Sequence, residues 1–135
     1  MDDLFLLGRI IFGGFFAYNG ANLLISNASS AQYAAAKGVP MPEIAVALAG
    51  LLILIGGLSV LLGFWPQLGA ACIILFLAIV TPVMHNFWAI SDPAQRLADT
   101  INFAKNIALL GGALMMLGVP TPWPYSVDRR TRIVV

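Results

Sequence analysis

The sequence predicts an all-α protein, a four-transmembrane-helix antiparallel bundle, from its composition and from the spacing of its apolar residues. Apolar residues make up 60% of the chain and charged residues 10%, whereas about a quarter of the residues in a soluble domain are charged. The apolar residues fall into four blocks, at 4–25, 44–64, 68–88 and 101–119. Each block has about 20 residues, the length that an α-helix needs to cross a hydrocarbon layer of about 30 Å. We therefore expect the 135 residues to form a single integral membrane domain.

The first two connections indicate how neighbouring spans are arranged. In residues 26–42 we expect a short interfacial helix at 32–37 and then a glycine- and proline-rich turn, in which Pro42 suits the first turn of the second span. The connection at residues 64–67 is too short for anything but a tight turn. The second and third spans must therefore be antiparallel neighbours.

The third connection contains a helix start. Asp92 is followed directly by proline and, three positions on, by glutamine, which is the spacing of a capping box with proline at the first helical position. We predict a second short interfacial helix at 93–98. Asp99 or Thr100 would then cap the fourth span.

Charged residues beyond the spans predict the orientation, because lysine and arginine accumulate on the cytoplasmic side of a membrane. Arg129, Arg130 and Arg132 follow the fourth span, whereas the two long connections hold only Lys37 and Arg96. Both termini are therefore expected in the cytoplasm.

Small residues spaced four apart predict helix faces that pack closely in lipid. The first span has Gly13, Ala17 and Ala21, and the fourth has Ala104, Ala108 and Gly112. We expect both faces to lie inside the bundle.

The composition excludes several kinds of site. With one cysteine, Cys72, and one histidine, His85, the chain cannot supply a four-ligand zinc site, a bis-histidine haem site or an iron–sulfur cluster. A net charge of +1 provides no basic surface for nucleic acid. The sequence has no nucleophile–base pair, phosphate-binding loop or metal motif. We therefore predict no catalytic residue, no metal site and no cofactor of its own, and autonomous enzymatic chemistry is not expected.

Polar residues within the spans gather at the end of the bundle opposite the termini, which the predicted orientation makes the outer end. The candidate ligand-binding residues there are Asn19, Glu43, His85, Trp88, Lys105 and Asn106. A histidine side chain can donate to a carbonyl, such as that of a quinone head group, and an indole ring can form a flat wall beside it. The alternative for His85 is a structural, hydrogen-bonded role.

Two charged side chains within the spans have alternative interpretations. Lys105 either extends its long side chain to the interface or faces the bundle, where it would pair with Glu43 or bond Asn19 and His85. Arg9 most simply contacts lipid phosphate or the nearby acidic residues at the N-terminus. A contact with another subunit is the alternative for Arg9.

Several motifs resemble the DoxX family of small membrane proteins, over about residues 4–118. They are Gly8-Arg9-Ile10, the connection Lys37-Gly38-Val39-Pro40-Met41-Pro42, the pair Gly56-Gly57, the run Met84-His85-Asn86-Phe87-Trp88 and the segment 103–112. Two positions depart from the family. Many members have a glutamate where this chain has Ile53, and a lysine where it has Asn22.

The resemblance implies a four-helix, multi-pass protein of the bacterial inner membrane, and it carries over His85, Lys105, Asn106 and Arg9 as matched polar positions. The family is associated with quinol oxidase and thiosulfate:quinone oxidoreductase assemblies. We therefore predict an accessory subunit of a larger redox or energy-transducing membrane complex, in contact with membrane lipids, with a quinone or lipid head group as the candidate ligand at its outer end. The alternatives are a stand-alone carrier or binding protein for a small amphiphile and a purely structural packing subunit.

Overall fold

The computed structural model describes residues 1–128, and these residues form helices and connections without a strand. The helices are α1 (Asp2–Ile25), α2 (Asn27–Ala36), α3 (Pro42–Leu62), α4 (Pro66–Met84) and α5 (Pro93–Leu117), with a short 3-10 turn at Phe87–Ala89. Four of them, α1, α3, α4 and α5, are long and apolar enough to cross a membrane, so the predicted fold class is confirmed. The arginines that predict the orientation, Arg129, Arg130 and Arg132, lie outside the described residues.

Two helix boundaries differ from the prediction. The interfacial helix predicted at 32–37 is α2, which begins five residues earlier, at Asn27, almost directly after α1. The third span was predicted to reach residue 88, and the candidate membrane segment Pro66–Ala89 agrees with this, but its α-helix, α4, already ends at Met84. The chain leaves the helix at His85 and enters the 3-10 turn, so His85 lies in a connection rather than within a helix.

The separate helix predicted at 93–98 is wrong, because α5 runs without a break from Pro93 to Leu117. Asp92 caps this long helix by accepting a hydrogen bond from the Gln95 backbone N–H at 2.9 Å. Neither residue predicted to start the next helix acts as a cap. The Thr100 hydroxyl donates to the Arg96 carbonyl of the preceding turn, and the Asp99 carboxylate accepts a hydrogen bond from Lys37.

The closest helix contact, between α1 and α3, depends on glycine. A Cβ atom on Gly57 would overlap the backbone nitrogen of Ala17, and one on Gly20 would lie 2.5 Å from the backbone nitrogen of Leu54. The two backbones therefore touch with no side chain between them. In lipid, where apolar burial gives little drive for association, this close packing is a main source of attraction between helices.

The remaining spans pack in chain order, with α3 against α4 and α4 against α5, while α2 lies on α3. The core includes Phe16, Ile53, Ile73 and Leu77, with Ala113 contributed by α5. The prediction that Ala104 and Ala108 lie inside the bundle is wrong, since both are exposed. The buried residues of α5 are Asp99, Asn106 and Ala113, spaced seven apart, so a different face of the helix turns inward.

The chain after α5 folds back over the end of the bundle where α1 begins and α5 ends. We call this the Arg9 end. Trp123 is fully buried there. Arg9 donates from Nη1 to the Pro124 carbonyl at 3.0 Å and from Nη2 to the Tyr125 carbonyl at 3.1 Å. Because Arg9 is only 2% exposed, the predicted contact with lipid phosphate is wrong. Backbone carbonyls solvate the guanidinium, which also lies against Gly63 at the C-terminal, electronegative end of α3.

Replacing Gly20 with alanine is expected to lower the free energy of unfolding by about 1–3 kcal/mol, because the added methyl group forces α1 away from α3. Thermal unfolding of the detergent-solubilised protein measures the change. The matched control is Gly14→Ala in the same helix, where a Cβ atom meets nothing within 4 Å. Alanine is favoured over glycine in a helix by about 1 kcal/mol, so the control should lose no stability. Equal losses in the two variants would contradict the close contact.

Candidate functional site

A buried carboxylate joins three segments at the end of the bundle where α2 and α4 end and α3 and α5 begin, which we call the Lys37 end. Asp99 is 5% exposed. Its Oδ2 atom lies 3.2 Å from Lys37 Nζ and its Oδ1 atom 3.1 Å from His85 Nδ1. Lys37 also donates to Asn86 Oδ1 at 2.9 Å. These four residues form one connected polar network.

Local structure brings the network together. Lys37 is the C-terminal cap of α2, and Gly38 follows it with φ of 81°, a left-handed conformation that turns the chain towards α3. His85 ends α4, and Asp99 lies in the second turn of α5. The ion pair therefore ties the connection after α2 to the start of the last helix.

Two donors compensate the buried charge of Asp99. A buried ion pair is favourable only when further hydrogen bonds satisfy both partners, and here Asp99 accepts from the lysine and contacts the imidazole. Lys37 has three N–H donors, of which Asp99 and Asn86 take two. Its ammonium group also lies 5.7 Å from the centre of the Tyr33 ring. One donor of Lys37 remains for another acceptor.

A groove of about 1200 Å³ lies beside this network, between α2, α3 and α4. Its walls are mainly apolar, with Ala49 and Leu52 on α3 facing Phe76 and Ile79 on α4. The groove follows α4 from Met84 to Phe76, about 12 Å along the helix. Its polar end is formed by Ser30, Tyr33, Lys37, Asn86 and Trp88, whereas Asp99 and His85 lie outside its lining.

The groove opens sideways, on the surface of helices that can span a membrane. Leu48 on α3 is 62% exposed and Ile79 on α4 is 56% exposed, and both line the groove. Both helices are candidate membrane spans. The open side of the groove therefore lies on the apolar outer surface of two candidate membrane spans.

Hydrogen-bond donors without a partner collect at the polar end. Asn86 accepts from Lys37 through its side-chain oxygen, which leaves its amide nitrogen without a hydrogen bond to residues 1–128. The Trp88 indole is 58% exposed, and within the same described part of the chain its N–H has no acceptor. Together with the third N–H of Lys37, these groups can bind an acceptor such as a carbonyl oxygen.

The structure brings only some of the predicted site residues to this place. His85 belongs to the network, Trp88 lines the groove, and Asn106 is buried on α5, seven residues after Asp99. Glu43 is exposed at the start of α3, outside the groove. Asn19 uses its amide to bond the Phe15 carbonyl of its own helix.

Lys105 does not face the bundle. It is exposed and donates to Asn102 at 3.1 Å, so the predicted pairing with Glu43, Asn19 or His85 does not form. The reason is helical geometry, since Lys105 immediately precedes the buried Asn106 and is turned about 100° away from it around the helix axis.

Lys37 and Asp99 are not among the site residues that the sequence predicts. The sequence predicts a helix cap at Asp99, and it places Lys37 in a connection and in a family motif without indicating a role in the site. The available signal was the seven-residue spacing of Asp99, Asn106 and Ala113, which corresponds to two turns and places all three on the same face of one long helix. This shared face becomes visible only when residues 93–117 are treated as one helix.

Comparison with known proteins gives two matches. The family model DoxX matches residues 4–86. The inner membrane protein YphA of Escherichia coli (strain K12) is 28% identical over 127 residues, which is 94% of this chain and 89% of that protein. No solved structure matches significantly. The family match includes Lys37, His85 and Asn86, whereas Asp99 lies beyond it.

Replacing Lys37 with methionine is expected to lower the free energy of unfolding by about 3–5 kcal/mol, because it leaves the buried Asp99 charge with His85 as its one remaining partner among residues 1–128. Chemical unfolding in detergent measures this. Lys105→Met removes the same charge from an exposed position in the middle of α5, and should change stability by no more than about 0.5 kcal/mol. A small effect at both positions would show that the buried pair adds little to stability.

Proposed function

The chain belongs to the DoxX family, and we propose that it binds a membrane-resident amphiphile in the groove at the Lys37 end. It is a multi-pass inner membrane protein with four apolar helices of spanning length. The observation that carries the proposal is an apolar groove that opens sideways on two of these helices and ends at hydrogen-bond donors that have no acceptor among residues 1–128.

The apolar walls and the polar end of the groove contribute differently to ligand recognition. A chain lying along Leu52, Phe76 and Ile79 exchanges lipid contacts for contacts of similar polarity, so its burial contributes little free energy in a membrane. Selection among amphiphiles must therefore come from the head group at Lys37 and Asn86. We propose a quinone or lipid head group that presents a carbonyl oxygen to these donors.

This proposal changes the role of His85. The sequence suggested that His85 donates to the ligand, but its Nδ1 atom contacts Asp99 and the residue lies outside the lining of the groove. We propose that His85 helps to hold Asp99, and that Lys37 and Asn86 contact the ligand. The orientation predicted from the tail arginines would put the head group at the outer surface of the membrane.

Membership of a larger redox or energy-transducing complex is a second proposal, and the exposed face of α5 supports it. Ala104, Ala108 and Leu114 are exposed on this helix, which is the least buried of the four candidate spans. A Cβ atom on Gly111 would meet nothing within 4 Å. Small residues on an uncovered face permit close approach of another helix.

Filling the groove tests the first proposal. Ala49→Phe places a ring in the α3 wall and should weaken binding of a short-tailed ubiquinone analogue at least about tenfold, because the head group cannot reach Lys37 and Asn86 unless the tail attached to it fits into the space that the ring now fills. Binding is measured in phosphatidylcholine nanodiscs as quenching of Trp88 fluorescence, with Trp88→Phe used to subtract the other two tryptophans. Ala71→Phe, on the exposed surface of α4 outside the groove, is the matched control. Unchanged quenching in Ala49→Phe, or none in the wild type, would refute groove binding.

The second proposal, membership of a larger complex through the exposed face of α5, is tested by the size of the assembly. In a mild-detergent extract the wild-type chain should migrate with a large assembly and co-purify with subunits that carry redox centres. Ala108→Leu should release it as a small species, because the larger side chain separates the helices. Ala71→Leu on α4 should leave the assembly intact. Migration of the wild type as a small species would contradict the second proposal.

A further inference from the structure

We propose that Asp99 determines the charge selectivity of the groove, so that the site takes amphiphiles with an uncharged carbonyl head group and discriminates against anionic ones. This inference rests on the proposed amphiphile binding and names the chemical class of its ligand. It follows from how the charges around the polar end are paired and from which of them a ligand can reach.

Among the described residues, the lining of the polar end contains one cation and no carboxylate. Lys37 is the only charged residue from this part of the chain that lines the groove, so a ligand head group meets a positive charge first. Asp99 stands behind it, with Oδ2 at 3.2 Å from Lys37 Nζ. The carboxylate is buried and outside the lining, so a ligand experiences its charge without contacting it.

The positions of the two charges reduce the attraction for an anion. The N–H bonds of Lys37 Nζ diverge at about 109°, so an acceptor on the third N–H would lie about 3 Å from Nζ and about 5 Å from Asp99 Oδ2. Since Coulomb energy falls with distance, Asp99 then cancels about 60% of the attraction that Lys37 exerts on a negative head group. An anion also loses its hydration on binding, and the remaining attraction to Lys37 does not compensate for this desolvation free energy.

A neutral carbonyl loses much less. Its hydrogen bonds to Lys37 and to the Asn86 amide depend on local geometry, and the bond from Lys37 to Asn86 Oδ1 leaves the amide nitrogen of Asn86 available. Transfer of an uncharged group into this site carries no ionic desolvation cost. Asp99 is therefore a specificity-determining residue that acts through Lys37 and does not touch the ligand.

The test uses a long-chain fatty acid and its methyl ester, two probes with the same tail, of which the ionised acid presents a carboxylate and the ester an uncharged carbonyl. The full-length protein in a neutral detergent is mixed with equal amounts of both at a pH where the acid is ionised. Native mass spectrometry then measures the ratio of bound ester to bound acid. We expect the wild type to bind mainly the ester.

Asp99→Asn should shift this ratio about tenfold towards the acid, since Lys37 then has an uncompensated charge. The double variant Lys37→Gln/Asp99→Asn removes both charges and should prefer the ester again. Glu43→Gln is the matched control, because it makes the same charge change at the same end of the bundle on an exposed side chain outside the groove. It should keep the wild-type ratio.

Each outcome bears on one proposal. If the wild type prefers the acid, or if Asp99→Asn and Glu43→Gln shift the ratio equally, the role of Asp99 is refuted while groove binding stands. If neither probe binds to the wild type, and Ala49→Phe does not alter quinone quenching, groove binding itself is refuted. If Asp99→Asn does not purify as folded protein, the double variant against Lys37→Gln alone provides the same comparison. Lys37→Gln should then exclude the acid more strongly than the double variant does.

Discussion

The buried carboxylate of Asp99 imposes the constraint from which the arrangement of the Lys37 end follows. A charge in a helix that can cross a membrane needs close partners, because hydrocarbon cannot solvate it. Lys37 and His85 provide those partners from two separate connections. Their positions in turn determine which face of α5 points inward, where the chain after α2 runs, and how α4 ends. The Lys37–Asp99 ion pair thereby sets the geometry beside the polar end of the groove.

The helices are closely packed at the glycine contact between α1 and α3, whereas open space remains at the groove between α2, α3 and α4. Between α1 and α3, backbone lies against backbone, and even a methyl group at Gly20 or Gly57 cannot be accommodated. Between α2, α3 and α4, in contrast, about 1200 Å³ of space remains open on the membrane side. In the function proposed above, an amphiphile occupies this space, and the polar network at the Lys37 end selects its head group.

The sequence predicts those features that are local in the chain and misses those that join distant segments. Four apolar blocks of spanning length are a contiguous signal, and all four correspond to helices of the structure. The capping box at Asp92 also predicted a true helix start. The pair Lys37–Asp99 joins residues 62 positions apart, and no local pattern reports it. Arg9 was misread for the same reason, since its acceptors lie 115 and 116 positions further along.

The distance along the chain between Arg9 and its acceptors has a consequence for biogenesis. The first helix enters the membrane early in translation, when the carbonyls of Pro124 and Tyr125 do not yet exist. Until those residues leave the ribosome, water, lipid head groups or the insertion machinery must solvate the guanidinium. The earliest segment to be inserted is therefore among the last to complete its contacts, and the Arg9 end closes only after all four spans are in place.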